Sequence, residues 1–218
     1  MHSNFSKSKL NYIISEWIRM KFFIYIFCFF MLNIYNAYAQ KSPEELSSTC
    51  LGCHGVESYN NIYPTYKVPK LGNQHKEYII SALNAYKSGE RSHPTMKAHA
   101  ANLRDLDIEK NADYFSSYNS DEKLIKNSSI KMIDEANSCV GCHGVDGNSM
   151  APTFPKIGGQ YEDYLYYSLK SYKNGNRDNA IMKGIASTLT DDQMKILSKY
   201  FSSHNGVKKI DQMITATE

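Results

Sequence analysis

Ser138-Cys139-Val140-Gly141-Cys142-His143-Gly144-Val145-Asp146 contains the pattern C-x-x-C-H, the attachment signature of c-type haem. The spacing has a physical reason. Two cysteines three apart can each add a thiol to one of the two vinyl groups on a haem edge. The histidine that follows is carried beneath the ring, where it can bind the iron. A second copy, Thr49-Cys50-Leu51-Gly52-Cys53-His54-Gly55-Val56, lies earlier in the chain. The expected covalent ligands are therefore Cys50, Cys53, Cys139 and Cys142, and the expected proximal ligands are His54 and His143. A lone C-x-x-C also suits a thioredoxin-like redox pair or half a zinc site. Here each pair is followed at once by its own histidine, which points to two covalently bound haem c groups.

Working outward, the two motifs head two copies of an internal repeat. Pro69-Lys70-Leu71-Gly72-Asn73-Gln74 matches Pro155-Lys156-Ile157-Gly158-Gly159-Gln160. At the same offset Tyr78, Leu83, Tyr86, Lys87, Gly89 and Arg91 match Tyr164, Leu169, Tyr172, Lys173, Gly175 and Arg177. Tyr114-Phe115-Ser116-Ser117 matches Tyr200-Phe201-Ser202-Ser203, and the first copy has three extra residues after its haem motif. Met96 and Met182 occupy equal places. Methionine is commonly core filler, but a repeat-matched one in a polar loop ahead of a helix suits the sixth iron position. Its soft thioether favours ferrous iron. His93 and His99 are rivals to Met96. Met132, Met150, Met194 and Met213 have no match and read as packing, and His75 and His204 read as solvated.

The helical signals fall between the motifs and the chain end. Ile130, Ile133 and Ala136 lead into the second motif at helical spacing. Tyr161, Tyr164, Leu165, Ser168, Leu169 and Tyr172 mark one helix face, which Asn174-Gly175 stops. Thr190-Asp191-Asp192-Gln193 is a capping-box pattern ahead of Met194, Leu197, Tyr200 and Phe201. No useful strand alternation is evident. The expected class is all-α.

Composition bounds the function. The net charge of +3 comes wholly from the N-terminus, where Lys7, Lys9, Arg19 and Lys21 face only Glu16. The rest is balanced, so nucleic acid has no electrostatic support as a partner. Lys21, the apolar run Phe22–Ile34 and the A-x-A site Ala37-Tyr38-Ala39 read as a signal peptide over 1–39. The run is shorter than the about 20 residues of a spanning helix, an uncleaved anchor being the alternative. Met20-Lys21 makes a more typical signal start than the polar residues before it. Cys28 lies inside this segment, and the other four cysteines are the two haem pairs. The expected divisions are a signal over 1–39, a first domain over 40–118, a linker over 119–129, and a second domain with a short tail over 130–218.

C-x-x-C-H-G-x-D-G-N (Cys139 to Asn148), P-x-I-G-G-Q (Pro155 to Gln160), Y-L-x-x-S-L-x-x-Y-x-x-G-x-R (Tyr164 to Arg177), Met182 and the final Tyr200-Phe201 together resemble class I cytochrome c. The tandem is similar to the di-haem cytochrome c4 family. That resemblance implies two class I cytochrome c domains, each wrapped around one covalent haem with His/Met ligation. It implies periplasmic electron transfer in a respiratory chain, with a bc1-type complex as donor and a terminal oxidase as acceptor. Peripheral membrane association is left open. It also implies that the carbonyls of Pro69 and Pro155 accept a hydrogen bond from the proximal histidines. Arg91 and Arg177 suit haem propionates, a solvated surface arginine being the alternative. Glu57-Ser58-Tyr59 departs from the D-G-N loop. Competing functions are a di-haem enzyme, such as a thiosulfate dehydrogenase or peroxidase, and a cytochrome subunit of a dehydrogenase. An enzyme needs a labile iron position or an unusual ligand such as Cys. Two methionine candidates and no spare cysteine favour a carrier instead.

Overall fold

The computed structural model describes residues 3–38, 41–57, 59–118 and 130–210. The expected linker over 119–129, the cleavage position at Ala39 and Met213 lie outside the described residues. The chain divides into two compact units, Met1–Ser42 and Pro43–Glu218. The first holds one helix, α1 (Ser3–Tyr38), whose described side chains from Asn11 to Leu32 are all exposed. Among the described residues no helix is long and apolar enough to cross a membrane.

The second unit is helical and built from two similar halves. The first half contains α2 (Pro43–His54), strands β1 (Asn60–Asn61) and β2 (Tyr66–Lys67), α3 (Lys76–Ser88), α4 (Pro94–Ala101) and α5 (Asp105–Ser117). The second contains a 3-10 turn (Asp134–Ala136), α6 (Val140–His143), α7 (Glu162–Lys173), α8 (Ala180–Thr188) and α9 (Asp191–Ser202). Each half has its own core. Leu51, Ile79, Ala112, Phe115 and Ile210 make the first. Ala136, Leu165, Leu189, Met194, Leu197, Tyr200 and Phe201 make the second. Ile210 belongs to the far end of the chain, which returns across the unit. Lys208 N–H donates to the Gly72 carbonyl at 2.7 Å and Gly72 N–H to the Lys208 carbonyl at 2.9 Å.

Local chemistry explains the helix ends. Thr190 Oγ1 accepts from Gln193 N–H at 3.2 Å, and Gln193 Oε1 accepts from Thr190 N–H at 2.9 Å. This reciprocal cap satisfies two otherwise orphaned donors. α7 stops at Asn174, where Gly175 takes φ +77°, a conformation open to glycine at little cost.

Four features differ from the sequence expectation. No continuous helix leads into the second motif. Asn137 N–H bonds to the Asp134 carbonyl and Cys139 N–H to the Ala136 carbonyl, three residues back. Asn137 and Ser138 compete with the helical backbone for hydrogen bonds, so the ladder tightens into turns. The three-residue insertion of the first half folds as a small antiparallel hairpin, Asn60 pairing with Lys67 and Asn61 with Tyr66. Met132 and Met150 are exposed rather than packed, Met150 at 94%, whereas Met194 is buried. His204 is buried edge-on against Tyr200, and His75 is half-buried, its Nε2 2.8 Å from the Ser149 carbonyl oxygen.

Candidate functional site

Cys50 and Cys53 lie on α2, three residues apart and so on one helical face. Cys139 caps α6 and Cys142 lies within it. None of the four is paired in a disulfide, so each sulfur is available for a thioether bond. Burial pushes the Cys50 thiol up to about 11 and raises that of Cys139.

The histidines after each pair are held alike. His54 Nδ1 lies 2.8 Å from the Pro69 carbonyl oxygen, and His143 Nδ1 lies 2.9 Å from that of Pro155. A carbonyl can only accept, so each Nδ1 carries the proton and each Nε2 keeps a lone pair for a metal. Burial lowers the pKa of both rings, that of His54 to about 4, which keeps them neutral and ligand-competent.

One cavity of about 530 Å³ is lined by Cys50, His54 and Met96 from the first half and by Cys139, His143 and Met182 from the second. The two methionines sit not in a loop but at the third position of a helix. Met96 N–H donates to His93 Nδ1 at 3.2 Å at the start of α4, and Met182 N–H donates to Asn179 Oδ1 at 3.0 Å at the start of α8. The caps satisfy helix-end donors and fix the helix starts that place both methionines on the cavity wall. Both rivals to Met96, His93 and His99, share the cavity wall, and His93 uses Nδ1 in its cap and stands edge-on to Tyr86.

Arg91 and Arg177 are buried, not solvated, at 8% and 6% exposure. These repeat mates pair with each other as an antiparallel bridge, flanked by Ser92 N–H to the Asn176 carbonyl and Asp178 N–H to the Glu90 carbonyl. An approximate twofold axis therefore runs between them. Tyr164 Oη accepts from Arg91 at 2.6 Å and from Arg177 at 3.3 Å, while Tyr78 Oη accepts only from Arg91, at 3.3 Å. Burial alone would raise the Tyr164 phenol. The two guanidiniums outweigh it and hold the group down at about 7. Arg91 Nε is buried with no hydrogen-bond partner among the described residues.

These features fit two haems. Cys50, Cys53 and Cys139, both histidines and both methionines border one cavity, and the buried, unmatched Arg91 Nε suits an anion such as a propionate. Gln160 bonds to Lys70 and Gln74 to Lys156, each across to the opposite half. The two are repeat mates in the sequence, but contacts between the halves are not encoded in local periodicity.

Residues 131–205 match the Cytochrome c family. Over 181 residues the chain is 33% identical to cytochrome c-552 of Acidithiobacillus ferridurans, covering 74% of this chain and 76% of that protein. It is 27% identical over 182 residues to a thiosulfate dehydrogenase electron acceptor of Stutzerimonas stutzeri, covering 76% and 83%. The solved structure of Acidithiobacillus ferrooxidans cytochrome c4 superposes with a TM-score of 0.58 at 34% identity, covering 72% of this chain and 99% of that one. Two tandem all-α cytochrome c domains with two covalently bound haem c groups follow. The chain belongs to the di-haem cytochrome c4 family of electron-transfer proteins.

Proposed function

We propose that this cytochrome is exported to the periplasm and shuttles single electrons in a respiratory chain, taking them from a bc1-type complex and passing them to a terminal oxidase. The observation that carries the proposal is one cavity that brings Cys50, Cys53, His54 and Met96 of the first half together with Cys139, His143 and Met182 of the second. Cys50, Cys53, Cys139 and Cys142 would anchor the two groups, with His54 and Met96 on one iron and His143 and Met182 on the other. Bound there, each haem would supply a one-electron couple whose potential a methionine ligand raises. The chain fixes both imidazole tautomers through the Pro69 and Pro155 carbonyls and excludes water with buried aromatic walls. It offers Arg91 and Arg177 as cations inside the cavity. The apolar N-terminal run and its A-x-A site support export and removal of residues 1–39. Domains over 40–118 and 130–218 joined by 119–129 complete the proposal.

A second reading has specific support in the likeness to a thiosulfate dehydrogenase electron acceptor. In it, this protein is the electron-accepting partner or cytochrome subunit of a periplasmic dehydrogenase. Rapid mixing separates the two. Reduced, purified protein should be oxidised by oxidase-containing membranes in a cyanide-sensitive, saturable reaction. No such oxidation, together with fast reduction by a dehydrogenase and its substrate, would establish the second reading instead.

A further inference from the structure

The peptide group between Pro69 and Lys70 is engaged at both ends. Its carbonyl accepts from His54 Nδ1 at 2.8 Å, and its N–H, on Lys70, donates to Gln160 Oε1 at 3.0 Å. Gln160 belongs to the opposite half. Its Nε2 also donates to the Lys70 carbonyl at 3.0 Å, closing a two-point amide pair. The arrangement is reciprocated. The peptide between Pro155 and Lys156 accepts from His143 Nδ1 at 2.9 Å, its N–H donates to Gln74 Oε1 at 2.9 Å, and Gln74 Nε2 donates to the Lys156 carbonyl at 2.8 Å. Both glutamines are 5% exposed. Each Oε1 also accepts the N–H of the residue after it, His75 at 2.9 Å and Tyr161 at 3.1 Å, which locks the amide in place.

We infer that Gln160 and Gln74 act as crossed positioning residues, each tuning the iron couple of the half to which it does not belong. This rests on His54 and His143 being the proximal ligands. An N–H that finds a buried acceptor polarises its own peptide, so the carbonyl at the other end becomes a stronger acceptor. A stronger acceptor draws on the Nδ1 proton and makes the imidazole more basic at Nε2. A more basic ligand favours ferric over ferrous iron. Gln160 therefore holds the first couple lower than it would otherwise be, and Gln74 does the same for the second. A purely local support would act on the haem of its own half.

The test uses the full-length holoprotein with nitrogen-labelled histidine. In the reduced, diamagnetic state the ring protons of a haem-bound imidazole are shifted far upfield by the porphyrin ring current, which identifies the ligands independently. Gln160→Met keeps the length and removes the amide. The His54 Nδ1–H resonance should move upfield while that of His143 stays. The first couple should rise by a reduced-to-oxidised ratio of about threefold, about 30 mV at 59 mV per tenfold. Gln74→Met should do the same to His143 and the second couple. Gln160→Glu keeps the acceptor and adds charge, so His54 Nδ1–H should move downfield, and this variant decides the matter should the methionine variant fail to fold. A change confined to His143 in the Gln160 variants, equal changes at both histidines, or none would overturn the inference. Absence of ring-current shifts at His54 and His143 would instead overturn the ligand assignment, and this inference with it.

Discussion

Replacing Phe201 by alanine tests the link between core packing and the second haem site. Phe201 is 3% exposed, stands edge-on to Tyr200 at 4.9 Å and lines the cavity. Its carbonyl accepts Gly159 N–H at 3.0 Å, so its backbone also anchors the loop behind Pro155. A buried aromatic ring removes about 150–250 Å² from water, which at about 25 cal/mol/Å² is about 4–6 kcal/mol. A denatured chain that already hides part of that area trims the figure, and Phe-to-Ala core variants cost about 3–5 kcal/mol. Set against about 5–15 kcal/mol for a whole domain, such a loss leaves the second half marginal. Guanidinium unfolding, followed by far-ultraviolet circular dichroism and haem absorbance, measures it. With a slope of about 4 kcal/mol/M, the midpoint should fall by about 1 M. Phe115→Ala, the repeat mate at 2% exposure, should cost the same and disturb the first haem instead. A loss under about 1 kcal/mol at either site, within the range of surface substitutions plus error, would refute the core assignment.

Other outcomes follow from the same geometry. Met182→Ala should keep the covalent haem but lower its potential and open the iron to carbon monoxide; a sulfur-to-iron absorption band unchanged in the Met96→Ala, Met182→Ala double variant would show the ligands to be others. Asn179→Ala removes the cap on Met182 N–H and should cost about 1 kcal/mol, read as earlier thermal loss of the second haem's methionine band, with Asn179→Asp restoring it. The Tyr166 hydroxyl and the Lys195 and Lys170 ammoniums hold the Asp191 carboxyl well below the usual carboxylate range. That contribution is complete above the unfolded carboxylate pKa and is lost as pH falls through the depressed one, so Asp191→Asn should flatten the acid limb of a urea-midpoint against pH curve. The intact mass of the mature protein should exceed that of the polypeptide from Gln40 by two haems, and a mass with one haem or with zinc would contradict the cofactor content.

The parts of this molecule legible in its sequence are those fixed by short-range chemistry. The C-x-x-C-H spacing is a covalent requirement, the Thr190–Gln193 box is a helix-end requirement, and Met194, Leu197 and Phe201 follow helical periodicity into the core. The offset between the copies also matches Pro69 with Pro155, while their hydrogen bond to the histidines came from the family resemblance. What stayed hidden is chiefly contacts between the halves. Arg91 and Arg177 could be taken for surface cations because nothing nearby in sequence announces that they pair with each other. Gln74 and Gln160 have partners more than eighty residues away. His204 is buried by a neighbour on its own helix end, Tyr200, yet carries no motif of its own.

Among the described residues the hairpin after the first haem motif has no counterpart in the second half. Tyr66 on β2 stacks on Tyr167 of α7 at 4.1 Å between ring centroids, and Lys67 N–H donates to Asp163 Oδ2 at 2.9 Å. Its tip leaves Ile62 and Tyr63 outward. Two identical chains meeting on a true twofold axis must give both of their sites the same surroundings. A duplicated gene fused into one chain escapes that obligation. Three added residues in one copy are enough to give the ends different faces, so that selection can shape one end for loading and the other for delivery while the shared interior stays a matched pair.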